Sequence, residues 1–209
     1  MLDTLAFTAT ATTVFVSSAI YGVGFLEAEI HHWRSFWKTL PVAILAMFVA
    51  FSGGGLLLAI ALGLSALGDY FLSRDEDQFT IGLVAFLTAH LLYIWLFWQM
   101  IADISFGWGQ GAMIAYALLY GAFLWPRAGE FRVPVLAYVF VITIMVSVAL
   151  MLPSGYGLVI AGSLFFAFSD SALALEMFVV TNPNTRRTLS RVVWISYILA
   201  QTLLVIGLL

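Results

Sequence analysis

Cysteine is absent from the 209 residues, and charge is scarce. Without a thiol there is no disulfide framework, thiolate zinc site or cysteine nucleophile. Charged residues make up 9% of the chain against 63% apolar ones, where a soluble domain carries roughly 25% charged residues. The eight Lys and Arg form no basic run and the net charge is −3, which argues against a nucleic-acid partner. Histidine is also sparse, and His31 and His32 are adjacent, so on a helix they point to different sides and make a poor metal site. No cation precedes the apolar opening stretch from Leu5 to Phe25, which is too long for a signal-peptide core and reads as a first permanent span.

What the chain has in abundance is long hydrophobic runs. They place spans near 5–25, 38–52, 55–72, 79–98, 108–125, 133–152, 157–180 and 189–209, each close to the roughly 20 residues that cross a bilayer as a helix. An open sheet would leave edge amides unsatisfied in hydrocarbon. The expectation is therefore an all-α integral membrane protein, one domain over 1–209 formed by a bundle of eight transmembrane helices. Any active site must be built from the bundle itself. The second span is the least regular: its apolar run from Leu40 to Phe51 is short, and Ser52-Gly53-Gly54-Gly55 is either a hairpin tip or a kink.

The cations orient the bundle. Arg34 and Lys38 lie between spans one and two, Arg74 between three and four, Arg127 and Arg132 between five and six, and Arg186, Arg187 and Arg191 between seven and eight. All eight fall on one side. By the positive-inside rule these loops are cytoplasmic and both termini extracytoplasmic, in what we take to be a bacterial inner (plasma) membrane.

Ionisable groups at membrane depth are costly and mark function. Asp69 lies near the cytoplasmic end of span three, Asp170 near the middle of span seven, and His90 mid-way along span four. Tyr197 and Gln201 are one turn apart in the last span, and Glu176 is close enough to the interface to be solvated. A weak echo relates the halves. Gly68-Asp69 followed by Phe86-x-x-Ala89-His90 corresponds to Ser169-Asp170 followed by Tyr197-x-x-Ala200-Gln201, as in a parallel 4+4 repeat with the aspartates at pseudo-equivalent positions.

Four ordered fragments carry a resemblance. They are Leu67-Gly68-Asp69-Tyr70-Phe71-Leu72, then Phe79-x-x-Gly82-Leu83-x-x-Phe86-x-x-x-His90-x-x-Tyr93, then Gly162-x-Leu164-Phe165-x-x-x-Ser169-Asp170-Ser171-x-Leu173-Ala174, then Tyr197-x-x-Ala200-Gln201. Together they resemble the YhhN-like lysoplasmalogenase family. The resemblance implies an eight-helix hydrolase that cleaves the vinyl ether of lysoplasmalogens to a fatty aldehyde and a glycerophospho-headgroup. The family's paired aspartates match Asp69 and Asp170. Lys38 with Pro41 loosely resembles the family's Lys-Pro start to the second helix, with different spacing.

Vinyl ether hydrolysis suits two carboxyls: one protonated to deliver a proton to the alkene carbon, one ionised to stabilise the oxocarbenium ion or activate water. Low dielectric and a shared site separate the two roles without metal or cofactor. The candidate catalytic residues are Asp69, Asp170 and His90, the last as relay or orienting group. Lys38, Tyr93, Ser169, Tyr197 and Gln201 are the candidate substrate-binding residues, Lys38 for the phosphate. The expected partners are a lysophospholipid substrate and membrane lipids; the sequence specifies no oligomeric state.

Each residue also has a plainer reading. Asp69 could bind Ser65 or a neighbouring helix, His90 could be interhelical glue, and Tyr197 and Gln201 could be packing hydrogen bonds. A small proton-coupled transporter would also use midplane acids and a repeat. A metal-dependent intramembrane lipid hydrolase would need three converging histidines, and only His90 is at the right depth.

Overall fold

The computed structural model describes residues 4–74 and 76–209; Asp75, in the polar break expected between spans three and four, lies outside them. The described residues form eight α-helices and no strand. They are α1 (Thr4–Ile20), α2 (His32–Phe51), α3 (Leu56–Leu72), α4 (Phe79–Trp98), α5 (Trp108–Leu124), α6 (Arg132–Ala149), α7 (Gly157–Phe178) and α8 (Pro183–Leu208). A π-helical turn, Tyr21–Phe25, continues α1. Six segments are long and apolar enough to cross a membrane: Thr4–Phe25, His32–Phe51, Phe79–Trp98, Gly129–Ala149, Gly157–Phe178 and Pro183–Leu208. Helices α3 and α5 have 17 residues each, at the short end of the spanning range of about 17–25. The chain is an all-α integral membrane protein.

Its contacts divide it into two compact units, one reaching Leu92 and including Leu208–Leu209, the other Tyr93–Gly207. In the first unit α2 packs against α1 and α3, and Phe7 meets Phe48 with ring centroids 6.1 Å apart. The glycine run between α2 and α3 is a tight turn. Gly53 and Gly55 have φ of +74° and +94°, a region that an L side chain rarely adopts, so this segment is the tip of a hairpin and not a kink.

Helix α2 starts at His32, six residues before the span expected from 38. His31 is extended and its Nδ1 accepts a hydrogen bond from the Arg34 amide at 3.2 Å, satisfying one of the first amides of the helix. Arg34 and Lys38 therefore sit on the first two turns of α2 and not in a loop. Pro41 lies inside the same helix.

In the second unit, α5, α6 and α7 meet around Leu124, Ala128, Val135 and Val139, with Ala174 and Phe178 packed alongside. Gly162 lets α7 approach α8 closely: a Cβ there would lie 3.0 Å from the Ala200 carbonyl oxygen. Helix α8 also begins early, at Pro183 and not near 189. Asn182 Oδ1 accepts from the amides of Asn184 and Thr185 at 2.9 and 3.2 Å, an N-cap, and proline suits the first helical position. Arg186, Arg187 and Arg191 thus ride on the opening turns of α8.

Candidate functional site

Asp69 is carried on the last turn of α3 and is 2% exposed. The turn is closed by Ser73, whose amide donates to the Asp69 carbonyl at 3.2 Å and whose hydroxyl donates to the Tyr70 carbonyl at 2.7 Å. Arg34 reaches across from α2, its Nη1 donating to the Ser73 carbonyl at 3.1 Å. The end of α3, with its aspartate, is therefore tied to the start of α2. Ser65, one turn before Asp69, spends its hydroxyl on the Ala61 carbonyl.

Gly68, beside Asp69, faces the ring of Phe86 on α4; a Cβ at Gly68 would stand 2.4 Å from the Phe86 ring. The Phe86 carbonyl in turn meets Nδ1 of the fully buried His90 at 2.6 Å. A carbonyl only accepts, so Nδ1 carries a hydrogen, and in the neutral imidazole Nε2 is then the acceptor nitrogen. In the first unit, then, the turn bearing Asp69 is tied to Arg34 through Ser73, and Gly68 beside the aspartate packs on Phe86, whose carbonyl holds His90.

The second unit holds Asp170 in the middle of α7. Tyr138 of α6 donates to Asp170 Oδ2 at 2.8 Å. Next to it, Ser171 Oγ donates to the Ala167 carbonyl, which uses its single hydrogen, so at the 2.8 Å contact between the two hydroxyls Tyr116 is the donor. Tyr120 donates to the Ser171 carbonyl at 2.6 Å, and its ring stacks on Tyr116. Three phenols from α5 and α6 therefore converge on Asp170-Ser171.

Nothing in the sequence motifs marks Tyr116, Tyr120 or Tyr138 as site residues. The available signal was Tyr116 and Tyr120 at helical spacing in an apolar segment, since a buried phenol seeks a partner. Glu176, nearer the end of α7, accepts from the Ser190 hydroxyl at 2.6 Å.

The candidate binding residues of this unit fall into two groups. Ser169 is buried and donates to the Val193 carbonyl at 3.0 Å, so its hydroxyl hydrogen joins α7 to α8. Tyr93 and Gln201 are fully buried and bonded to each other, the phenol donating to Oε1 at 2.8 Å. Phe166 stands edge-on to both Tyr93 and Tyr197. Gln201 Nε2 finds no hydrogen-bond partner among the described residues. Nor does any group of three or more His, Cys, Asp or Glu residues gather there in a way that could hold a metal ion.

Comparison with known proteins identifies the chain's relatives. Residues 33–208, from α2 through α8, match the YhhN family. The chain belongs to that family. Among YhhN relatives, it is 31% identical over 197 residues to the lysoplasmalogenase TMEM86B of Rattus norvegicus, covering 92% of this chain and 80% of the relative. It is 30% identical over 208 residues to the lysoplasmalogenase TMEM86A of Homo sapiens, covering 88% and 84%. With the lysoplasmalogenase of Mycobacterium tuberculosis it shares 32% identity over 157 residues, 70% of this chain and 58% of the relative. No solved structure matches this YhhN chain.

Proposed function

We propose that this protein is a membrane-embedded lysoplasmalogenase, hydrolysing the vinyl ether of a lysophospholipid to a fatty aldehyde and a glycerophospho-headgroup. The observation that carries this reading is about 30% identity, over most of the chain, to proteins that are themselves lysoplasmalogenases. Two aspartates set in apolar helices, one of them buried at 2% exposure, supply chemistry suited to it, because acids at membrane depth are retained for function.

In the proposed reaction a carboxylic acid delivers its proton to the alkene carbon remote from oxygen. The cation that forms is an oxocarbenium ion at the carbon bearing the ether oxygen. The other carboxylate takes a proton from water as the water oxygen bonds to that carbon. The hemiacetal then collapses: its hydroxyl returns a proton to the first carboxylate, the bond between the former alkene carbon and the glycerol oxygen breaks, the protonated base gives its proton to that oxygen, and the free glycerol hydroxyl and an aldehyde leave. We assign Asp69 and Asp170 to the acid and base roles, with His90 as relay through Nε2. The clustered cations support a substrate headgroup on the cytoplasmic side, in a plasma membrane with both termini outside.

Incubating the purified protein with a lysoplasmalogen and measuring aldehyde tests the reading. Asp69→Asn and Asp170→Asn keep shape and remove the titrating proton, and each is expected to lower turnover by at least about 100-fold. A folded double variant releasing aldehyde at the unmodified rate would refute the assignment.

A further inference from the structure

Hydroxyls within this protein's helices follow a common habit. Thr8, Ser17, Ser65, Thr143, Ser163 and Thr202 each donate to the carbonyl four residues back, the usual way to satisfy a hydroxyl in an apolar helix. Two on α2 do not. Ser35 is fully buried, yet its Oγ finds no partner among the described residues, and the same is true of the buried Thr39 Oγ1 one turn later. Residues four apart share a helix face, so these two donors stand in register. On the adjoining row, again four apart, are Arg34 and Lys38, and Arg34 Nε is likewise buried without a partner. A buried donor left without an acceptor is costly, because its desolvation is not offset. Three on two successive turns, beside two cations, mark a place built to be completed by an oxygen-rich anion.

From this geometry we infer that Arg34, Ser35 and Thr39, with the charge of Lys38, form a binding site for the phosphodiester of the lipid substrate. Guanidinium and hydroxyl donors around a phosphate make charge-assisted hydrogen bonds, and arginine presents a planar fork that suits it. The position fits the chemistry. Arg34 Nη1 is bonded to the Ser73 carbonyl, and Ser73 caps the turn that starts at Asp69. The anion site is thereby tied to the turn of α3 that bears the aspartate, a helical turn being about 5.4 Å. In a lysophospholipid only the three-carbon glycerol unit separates the phosphate from the ether oxygen, so the proposed reaction calls for a phosphate site tied closely to the aspartate's turn, as the Arg34–Ser73 bond ties this one. The inference rests on the proposed lysoplasmalogenase reading and adds the headgroup determinant to it.

The test is binding, measured by calorimetry on detergent-solubilised full-length protein with a saturated 1-alkyl lysophosphatidylethanolamine, which has no vinyl ether to cleave. A 1-alkylglycerol of the same chain serves as the phosphate-free probe. Ser35→Ala combined with Thr39→Val is expected to weaken the phospholipid by about 10-fold or more, as for two lost hydrogen bonds to an anion, and to leave the alkylglycerol unchanged. Ser35→Thr and Thr39→Ser keep a hydroxyl and are expected to restore binding. Equal weakening of both probes, or of neither, would overturn the site. Inorganic phosphate bound as tightly as the lysolipid would overturn its assignment to a lipid headgroup. Since no turnover is involved, a protein that binds in this pattern but releases no aldehyde would refute the proposed reaction and leave the anion site standing.

Discussion

Tyr138 holds Asp170 through a 2.8 Å hydrogen bond from its phenol to Oδ2. The bond joins α6 to α7 at the acid. Tyr138→Phe removes one oxygen and little else. If Asp170 acts in the reaction, kcat is expected to fall by about 10-fold, as for loss of one hydrogen bond to a carboxylate, with KM nearly unchanged. Tyr120→Phe, which loses only a bond to the Ser171 carbonyl, should affect kcat less. Steady-state aldehyde release from both variants makes the comparison, and an equal fall in the two would show that the phenols act together as scaffold.

A second expectation concerns the contact beside Asp69. A methyl group at Gly68 would overlap the Phe86 ring at 2.4 Å. Gly68→Ala should therefore destabilise the protein by about 1–3 kcal/mol, the usual range for overpacking, and lower its melting temperature in detergent. Adding Phe86→Leu should recover part of the loss, because contacting residues couple. Additive losses in the double variant would mean that the ring does not set the spacing of α3 and α4.

Topology is open to a direct measurement. A reporter active only in the cytoplasm, fused after Leu209, is expected to be silent, and the same reporter in the turn following Arg127 should be active. The reverse pattern would move the cations, and with them the proposed headgroup site, to the opposite face.

Much of the architecture was legible because bilayer physics writes it in composition. Apolar runs located all eight helices of the described residues, and the glycine run after Phe51 marked a break whose form, hairpin tip or kink, only the backbone angles decide. The starts of α2 and α8 were missed for one reason: a helix can project beyond hydrocarbon, where charges no longer mark its end. Only the caps, His31 and Asn182, reveal that the cations belong to helical turns. The aspartates stood out by rarity. Tyr116, Tyr120 and Tyr138 did not, since an aromatic in a membrane helix is ordinary until its hydroxyl is seen to have an address. Ser35 and Thr39 were hidden more deeply, because what distinguishes them is a rotamer.

Pro41 gives α2 a joint. Lacking an amide hydrogen, it cannot bond the Trp37 carbonyl as a helix requires, so the ladder of hydrogen bonds is interrupted just after the turns that carry Arg34 to Thr39. Those turns can loosen without unwinding the span behind them, and opening costs the bonds of a short segment and not of a whole helix. In amide exchange, residues 34–40 would then trade their hydrogens faster than residues 45–51 of the same helix, and a lipid bound there would slow them first.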